Sequence, residues 1–134
     1  MKKLVAITMI LSGILLILVP RYILPACEYE GYPRMHCSDT AFAEYLVGAA
    51  LIALGGLTFF AGSSSLVITG AMTALIFYGI AFWLPDKFGY CRSTRMPCNY
   101  GMVPGVRFIS VIGGLIMAGA IIGLFRAARK KGNS

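Results

Sequence analysis

Charged residues are scarce in this sequence. Only 13% of its 134 residues are Asp, Glu, Lys or Arg, whereas a soluble domain carries roughly 25%. Three tracts, residues 4–20, 45–85 and 108–125, contain no charged residue at all. Because a soluble fold needs charged groups to face water, this shortage excludes a soluble enzyme, a nucleic-acid-binding domain and a disordered tail.

Two further absences restrict the chemistry. None of the four cysteines belongs to a Cys-Xaa-Xaa-Cys pair, the spacing found in dithiol oxidoreductases and in zinc knuckles. The inner parts of the apolar tracts also lack charged residues, which carriers and channels usually place along their pathway. Transport by this chain alone is therefore not expected. The polar atoms there belong to Thr8, Ser12, Thr69, Thr73 and Tyr78, and a Ser or Thr hydroxyl in a span can bond the backbone carbonyl one turn back.

The apolar tracts predict four transmembrane helices. A bilayer-spanning helix needs about 20 apolar residues. The first and third tracts therefore hold one helix each, and the 41-residue middle tract holds two, separated by a Gly-Ser-Ser-Ser break. The predicted helices are residues 4–23, 42–61, 66–84 and 107–125, with outer loops at 24–41 and 85–106, an inner turn at 62–65 and a basic tail at 126–134. The expected fold is a single all-α domain, a four-helix bundle integral to the lipid bilayer.

The basic residues indicate the orientation in the membrane. Six Lys or Arg residues lie at the termini and six lie in the outer loops, so the count itself is even. However, Lys2 and Lys3 directly precede the first helix, and a dense basic cluster at 126–131 follows the last one. We expect a multi-pass protein of the cytoplasmic membrane with both termini in the cytoplasm and a first helix that is not cleaved as a signal peptide.

All four cysteines lie in the predicted outer loops, Cys27 and Cys37 in the first and Cys91 and Cys98 in the second. The outer side of the membrane is oxidising, so we expect two disulfides. Three connectivities are open, and pairing within each loop is the simplest. Both loops follow a helix that ends in proline and both contain Arg-Met-Xaa-Cys. We infer two helix–loop–helix repeats that carry a disulfide-stabilised extracytoplasmic cap.

A copper site is one alternative for the same loops. His36, the single histidine, lies between Met35 and Cys37, and Met96 and Cys98 occupy the matching places in the second loop. Thiolate, thioether and imidazole together suit Cu(I). Such a site needs reduced cysteines; if they are oxidised, the methionines pack on the cap and the histidine faces water.

Thiol–disulfide exchange is the second alternative. Four spans with two cysteine-bearing outer loops resemble, in topology only, the quinone-coupled membrane disulfide oxidases and the vitamin K epoxide reductases. Those families carry a close cysteine pair that lowers one thiol's pKa, whereas the cysteines here are ten and seven residues apart within their loops. These separations are more typical of structural bridges.

Two charged residues, Glu44 and Arg107, border the outer ends of helices two and four at equivalent places in the repeat. Interfacial charges are common and inexpensive in membrane proteins. Either each side chain faces the lipid headgroups, or the two form an interfacial ion pair.

Small residues at helical spacing mark faces on which helices can pack closely in lipid. Helix two has Gly48 and Gly55 on such a face. Helix four has two small-residue motifs, formed by Gly114, Ala118, Gly119 and Gly123. These faces either close the bundle internally or dock a partner, which would be another membrane protein subunit or a second copy of the chain.

The first outer loop contains Met35-His36-Cys37, and the second contains Cys91 and Met96-Pro97-Cys98. Through these loop sequences, its length and its four spans, the chain resembles a family of uncharacterised bacterial and archaeal four-span membrane proteins. The resemblance covers nearly the whole chain. It implies the fold and genes that lie near those of export-type ABC transporters, and it supplies no catalytic residue. We expect a non-enzymatic accessory or assembly partner of a membrane complex, such as a transporter, that acts through its outer cap without a cofactor. The alternatives are a thiol–disulfide oxidoreductase working with quinone and a Cu(I)-binding protein.

Overall fold

The computed structural model describes residues 2–23, 36–60, 63–88 and 98–132, with the side chains of 36–38, 88 and 98 left out. These ranges contain four α-helices: α1 (Lys2–Leu18), α2 (His36–Phe60), α3 (Ser64–Phe88) and α4 (Val103–Gly132). Two π-helical turns, Val19–Ile23 and Cys98–Met102, follow α1 and precede α4. For these described ranges, the prediction of an all-α fold with four helices long and apolar enough to cross a membrane is confirmed.

The helix ends follow local backbone chemistry. Pro20 has no N–H to donate to an α-helical bond, and the chain leaves α1 through a π-helical turn that contains it. At the start of α3, the carbonyl oxygen of Ser63 accepts the N–H of Val67 at 3.4 Å, so Ser63 occupies the N-cap position. The serine-rich break between the second and third helices thus starts the third.

The helices extend beyond the predicted bounds. α2 begins at His36 instead of Phe42, and α3 continues past Leu84, through a buried Pro85, to Phe88. α4 covers the basic tail as far as Gly132. The predicted bounds follow the charge-free tracts, but backbone hydrogen bonding continues where side chains turn polar, so a charge-free tract does not mark where a helix ends.

Consecutive helices run antiparallel. On α1 and α2, Gly13 lies against Gly48, whereas Gly55 lies against the earlier residue Ala6. α3 and α4 are antiparallel in the same way. α1 also packs on α4 and, across the bundle, on α3. The ends of α1 and α4 that carry Lys2 and Gly132 therefore lie beside the α2–α3 connection. We call this end of the bundle the terminal end. The opposite end, which carries the two π-helical turns, is the loop end.

The backbones of α1 and α2 approach each other closely at two facing glycines. A Cβ atom added at Gly13 would lie 2.7 Å from the carbonyl oxygen of Gly48, and one added at Gly48 would lie 2.8 Å from that of Gly13. At Gly55, an added Cβ would lie 2.7 Å from Cγ1 of Ile10. The face formed by Gly48 and Gly55 on helix two thus packs inside the bundle, where only glycine allows this separation.

Apolar side chains occupy both the interior and the outer surface. Met9, Leu16, Leu51 and Met117 are fully buried, while large apolar side chains on every helix point outward, including Phe60, which is 87% exposed. A soluble protein does not expose apolar surface on this scale. The outer faces of the helices therefore contact lipid, and the chain is a multi-pass membrane protein.

Candidate functional site

The predicted disulfide and copper residues fall largely outside the described residues. Cys27, Met35, Cys91 and Met96 lie outside them. For His36 and Cys37, which start α2, and Cys98, which starts a π-helical turn, only the backbone is described. Where side chains are described, no three His, Cys, Asp or Glu residues come together as a metal site. The cap disulfides and the copper site remain predictions from the sequence.

An ion pair joins α3 and α4 at the loop end. Nη2 of Arg107 donates to Oδ1 of Asp86 at 2.6 Å, and the guanidinium carbon lies 5.3 Å from the ring centroid of Phe82. Both charged side chains are partly exposed, and such an ion pair contributes roughly 0.2–1 kcal/mol. Arg107 thus binds Asp86, and the structure does not bring it together with Glu44.

Glu44 itself is fully buried, with an exposed fraction of 0%. Among the described residues, neither of its carboxylate oxygens has a hydrogen-bond partner. The sequence-based expectation that Glu44 faces the headgroups or pairs with Arg107 therefore needs correction, because the side chain points into the bundle.

The helical periodicity of α2 accounts for this burial. Ala41, Val47, Gly48 and Leu51 are buried, and Glu44 lies between them on the same helical face. This pattern is visible in the sequence, although Glu44 immediately precedes a charge-free tract and so also fits the boundary of a span.

One hydrogen bond ties α1 to α3 in the middle of the bundle. The Ser12 hydroxyl donates to the carbonyl oxygen of Met9 at 3.0 Å and is hydrogen-bonded to the Tyr78 hydroxyl. Since Ser12 uses its proton on Met9, Tyr78 is the donor in the pair. The ring of Tyr78 also packs on α4, where a Cβ added at Gly113 would lie 2.6 Å from Cε1. Tyr78 therefore connects three helices; below we call Ser12 and Tyr78 the hydroxyl pair.

The threonines of the spans bond their own helices. Thr8 donates to the carbonyl oxygen of Leu4 at 2.8 Å, and Thr69 and Thr73 donate one turn back at 3.0 and 2.9 Å. The expectation of back-bonding is confirmed for these three residues. Thr58, which the sequence analysis omitted, is buried and bonds Gly55 in the same way at 2.9 Å. These hydroxyls need no ligand.

The small residues of α4 divide between two faces. An added Cβ at Gly114 would lie 3.9 Å from Cβ of Tyr78, which is ordinary contact, and Ala118 and Gly123 are half-buried. A Cβ added at Gly119 would meet no described atom within 4 Å beyond the backbone of its own helix. The tight glycine of α4 is thus Gly113, and Gly119 lies on the outward face.

A groove of about 350 Å³ runs between α1 and α4. Its walls are apolar, and its two hydroxyls, Thr8 and Ser12, are already hydrogen-bonded within the protein. Because it opens toward the lipid and offers no unused polar group along its described lining, it suits a hydrocarbon chain better than a polar ligand.

These features define a small α-helical membrane protein with four candidate spans, tight glycine contacts and a buried carboxyl group. Residues 9–130 match the family described as "Domain of unknown function (DUF4418)", so the chain belongs to this family. The predicted resemblance to an uncharacterised family is confirmed at that level. No curated protein and no solved structure matches the chain.

Proposed function

We propose that the protein is a non-enzymatic accessory or assembly partner of a membrane complex, such as a transporter. The observation that carries this proposal is the outward face of α4. Gly119 lies there without an internal contact among the described residues, between exposed Leu115 and Ile122. A small residue between large apolar ones forms a shallow notch in which another helix can pack, and such packing drives helix association in lipid.

The proposed orientation has both termini in the cytoplasm and the protein in the cytoplasmic membrane. In support, the terminal end of the described bundle carries six basic residues, Lys2, Lys3, Arg126, Arg129, Lys130 and Lys131, and none of the described acidic residues. The described loop-end residues carry both signs of charge. By the positive-inside rule, the terminal end faces the cytoplasm.

The proposal keeps two helix–loop–helix repeats and a disulfide-linked outer cap as the second recognition surface. The Gly13–Gly48 contact of α1 with α2 and the Tyr78–Gly113 contact of α3 with α4 each join residues 35 positions apart. Both residues of the second contact lie 65 positions after their counterparts in the first, Tyr78 after Gly13 and Gly113 after Gly48. Equivalent contacts at one spacing support two related hairpins, and each hairpin would contribute one cysteine-bearing loop to the cap.

The test compares two substitutions that differ in the helix face they occupy. Gly119→Leu fills the notch on α4, whereas Gly79→Leu adds the same side chain at an exposed position of α3. There, too, an added Cβ would meet no described atom within 4 Å beyond its own helix backbone. Both replace an outward glycine within a span, so their intrinsic effects on the helix match. The proteins are extracted from native membranes in polymer-bounded lipid discs, and the fraction in assemblies larger than one chain is measured.

We expect Gly119→Leu to lower the assembled fraction at least tenfold, and Gly79→Leu to leave it unchanged. A circular dichroism melt of each variant checks that the chain is folded. Equal behaviour of the two folded variants would show that the α4 face does not carry the assembly.

A further inference from the structure

Glu44 occupies an unusual place for a carboxyl group. The span that contains it begins at Asp39, and with a rise of 1.5 Å per residue Glu44 lies about 7.5 Å further along the helix axis. Of the Asp, Glu, Lys and Arg side chains that the structure describes, it is the one that is fully buried. Charged groups inside a membrane domain are costly and usually mark a functional site.

The described charged groups around Glu44 are engaged elsewhere or exposed. At the loop end, Arg107 of α4 binds Asp86 of α3, and Arg21 after α1 is exposed, with its guanidinium carbon 5.7 Å from the ring centroid of Tyr22. Lys87 of α3 and Asp39 of α2 itself are also exposed. Within the described ranges, no cation pairs with the carboxylate of Glu44.

A second buried polar atom lies at the same level of the bundle. Two glycines mark the level of the hydroxyl pair. Gly48 contacts Gly13, the residue after Ser12, and Gly113 contacts the ring of Tyr78. Glu44 is four residues from Gly48 toward the loop end, and Ser110 is three residues from Gly113 in the same direction. Oγ of Ser110 is buried and has no hydrogen-bond partner among the described residues. The interior thus holds an acid and a hydroxyl at one level, both without partners in the described structure.

We propose that Glu44 is a proton-binding site inside the membrane domain. A carboxylate oxygen forms an O–H bond with a proton that comes from water at the loop end, and the group becomes a neutral acid. Release breaks that bond and returns the proton to the same water. A proton is the ligand that fits a fully enclosed carboxyl group, because it removes the charge without needing added volume. The site is independent of the assembly face on α4.

Carbodiimide labelling tests this proposal directly. A hydrophobic carbodiimide, dicyclohexylcarbodiimide, enters the bilayer and reacts with protonated carboxyl groups. The acid proton moves to a carbodiimide nitrogen while the carboxyl oxygen bonds to the central carbon, and acyl transfer to nitrogen then leaves a stable adduct with the full mass of the reagent. The full-length protein is labelled in native membranes between pH 6 and 9, and the adduct is located by peptide mass spectrometry. The charged, water-soluble carbodiimide serves as a second reagent.

We expect one adduct, on Glu44, from the hydrophobic reagent at neutral pH and at least tenfold less from the water-soluble one. The labelling rate should fall as pH rises, approaching about tenfold per pH unit once most of the acid has lost its proton. Glu44→Gln should abolish the adduct, whereas Asp86→Asn, at a partly exposed carboxylate of the same bundle end, should retain it.

Three results would overturn the proposal. The first is no adduct on Glu44 of the wild-type protein at any pH tested. The second is a labelling rate that does not change with pH. The third is protection in native membranes followed by labelling after purification, which would show that a partner's basic group, and not a proton, neutralises the carboxylate. The wild-type results decide the matter even where Glu44→Gln fails to fold.

Discussion

Replacing Gly48 by alanine perturbs the glycine-to-glycine contact between α1 and α2. The new Cβ atom would lie 2.8 Å from the carbonyl oxygen of Gly13, where ordinary contact begins near 3.4 Å. Because that oxygen belongs to a helix backbone, α1 and α2 must separate by about 0.6 Å. Overpacking of this kind costs typically about 1–3 kcal/mol of unfolding free energy. The change from glycine to alanine also returns about 1 kcal/mol through helix propensity.

Gly56→Ala is the matched control in the same helix. A Cβ added at Gly56 would meet no described atom within 4 Å beyond its own helix backbone, so this variant gains the propensity without the clash. The difference in unfolding free energy between Gly48→Ala and Gly56→Ala therefore isolates the overpacking term, and we expect it to be about 1–3 kcal/mol. Unfolding in mixed micelles, followed by circular dichroism as the SDS fraction rises, measures it. Equal stability of the two variants would refute the glycine-to-glycine contact.

Two further predictions concern the hydroxyl pair and the cysteines. Tyr78→Phe removes the hydroxyl that donates to Ser12, and we expect it to lower the unfolding free energy by about 0.6–1 kcal/mol; with Ser12→Ala the losses should be less than additive, since both remove the same bond. In the protein as isolated, all four cysteines should resist alkylation before reduction and react after it, as intact-mass spectrometry can show. Free thiols with bound copper, or one readily exchanged bridge, would instead favour the copper-binding or the oxidoreductase alternative.

The existence of the four helices could be predicted because it depends on a property of the chain alone. About 20 apolar residues without charge are enough for a span, and the three charge-free tracts supplied four such stretches. The helix ends were predicted less well. α2 begins at His36 because backbone hydrogen bonds do not require apolar side chains.

The packing contacts depended on information that the sequence pattern does not contain. Many small residues in α4 have helical spacing, but the rotation of the helix decides which of them meets a neighbour. The structure selects Gly113, which touches Tyr78, and leaves Gly119 outside. The small-residue motifs of the sequence contain Gly114 and Gly119, and helical spacing alone cannot distinguish an inward glycine from an outward one.

The burial of Glu44, by contrast, can be read from the sequence. Glu44 falls on the helical stripe of Ala41, Val47 and Leu51, all of which are buried. The sequence does not reveal that Glu44 lacks a partner among the described residues, because pairing depends on how α1, α3 and α4 are arranged relative to α2. Arg107 binds Asp86, which follows Pro85 at the end of α3. A count of charges along the chain cannot reveal which carboxylate an arginine will reach.

The central claim, that the chain works as part of a membrane assembly, is tested most directly by the mass of the wild-type particle. Mass photometry of lipid discs cut from native membranes, compared with empty discs and discs that hold one refolded chain, gives that mass without detergent. We expect a particle heavier than a disc with a single chain, containing either further copies or other subunits. A particle with the mass of one chain in its disc would contradict it.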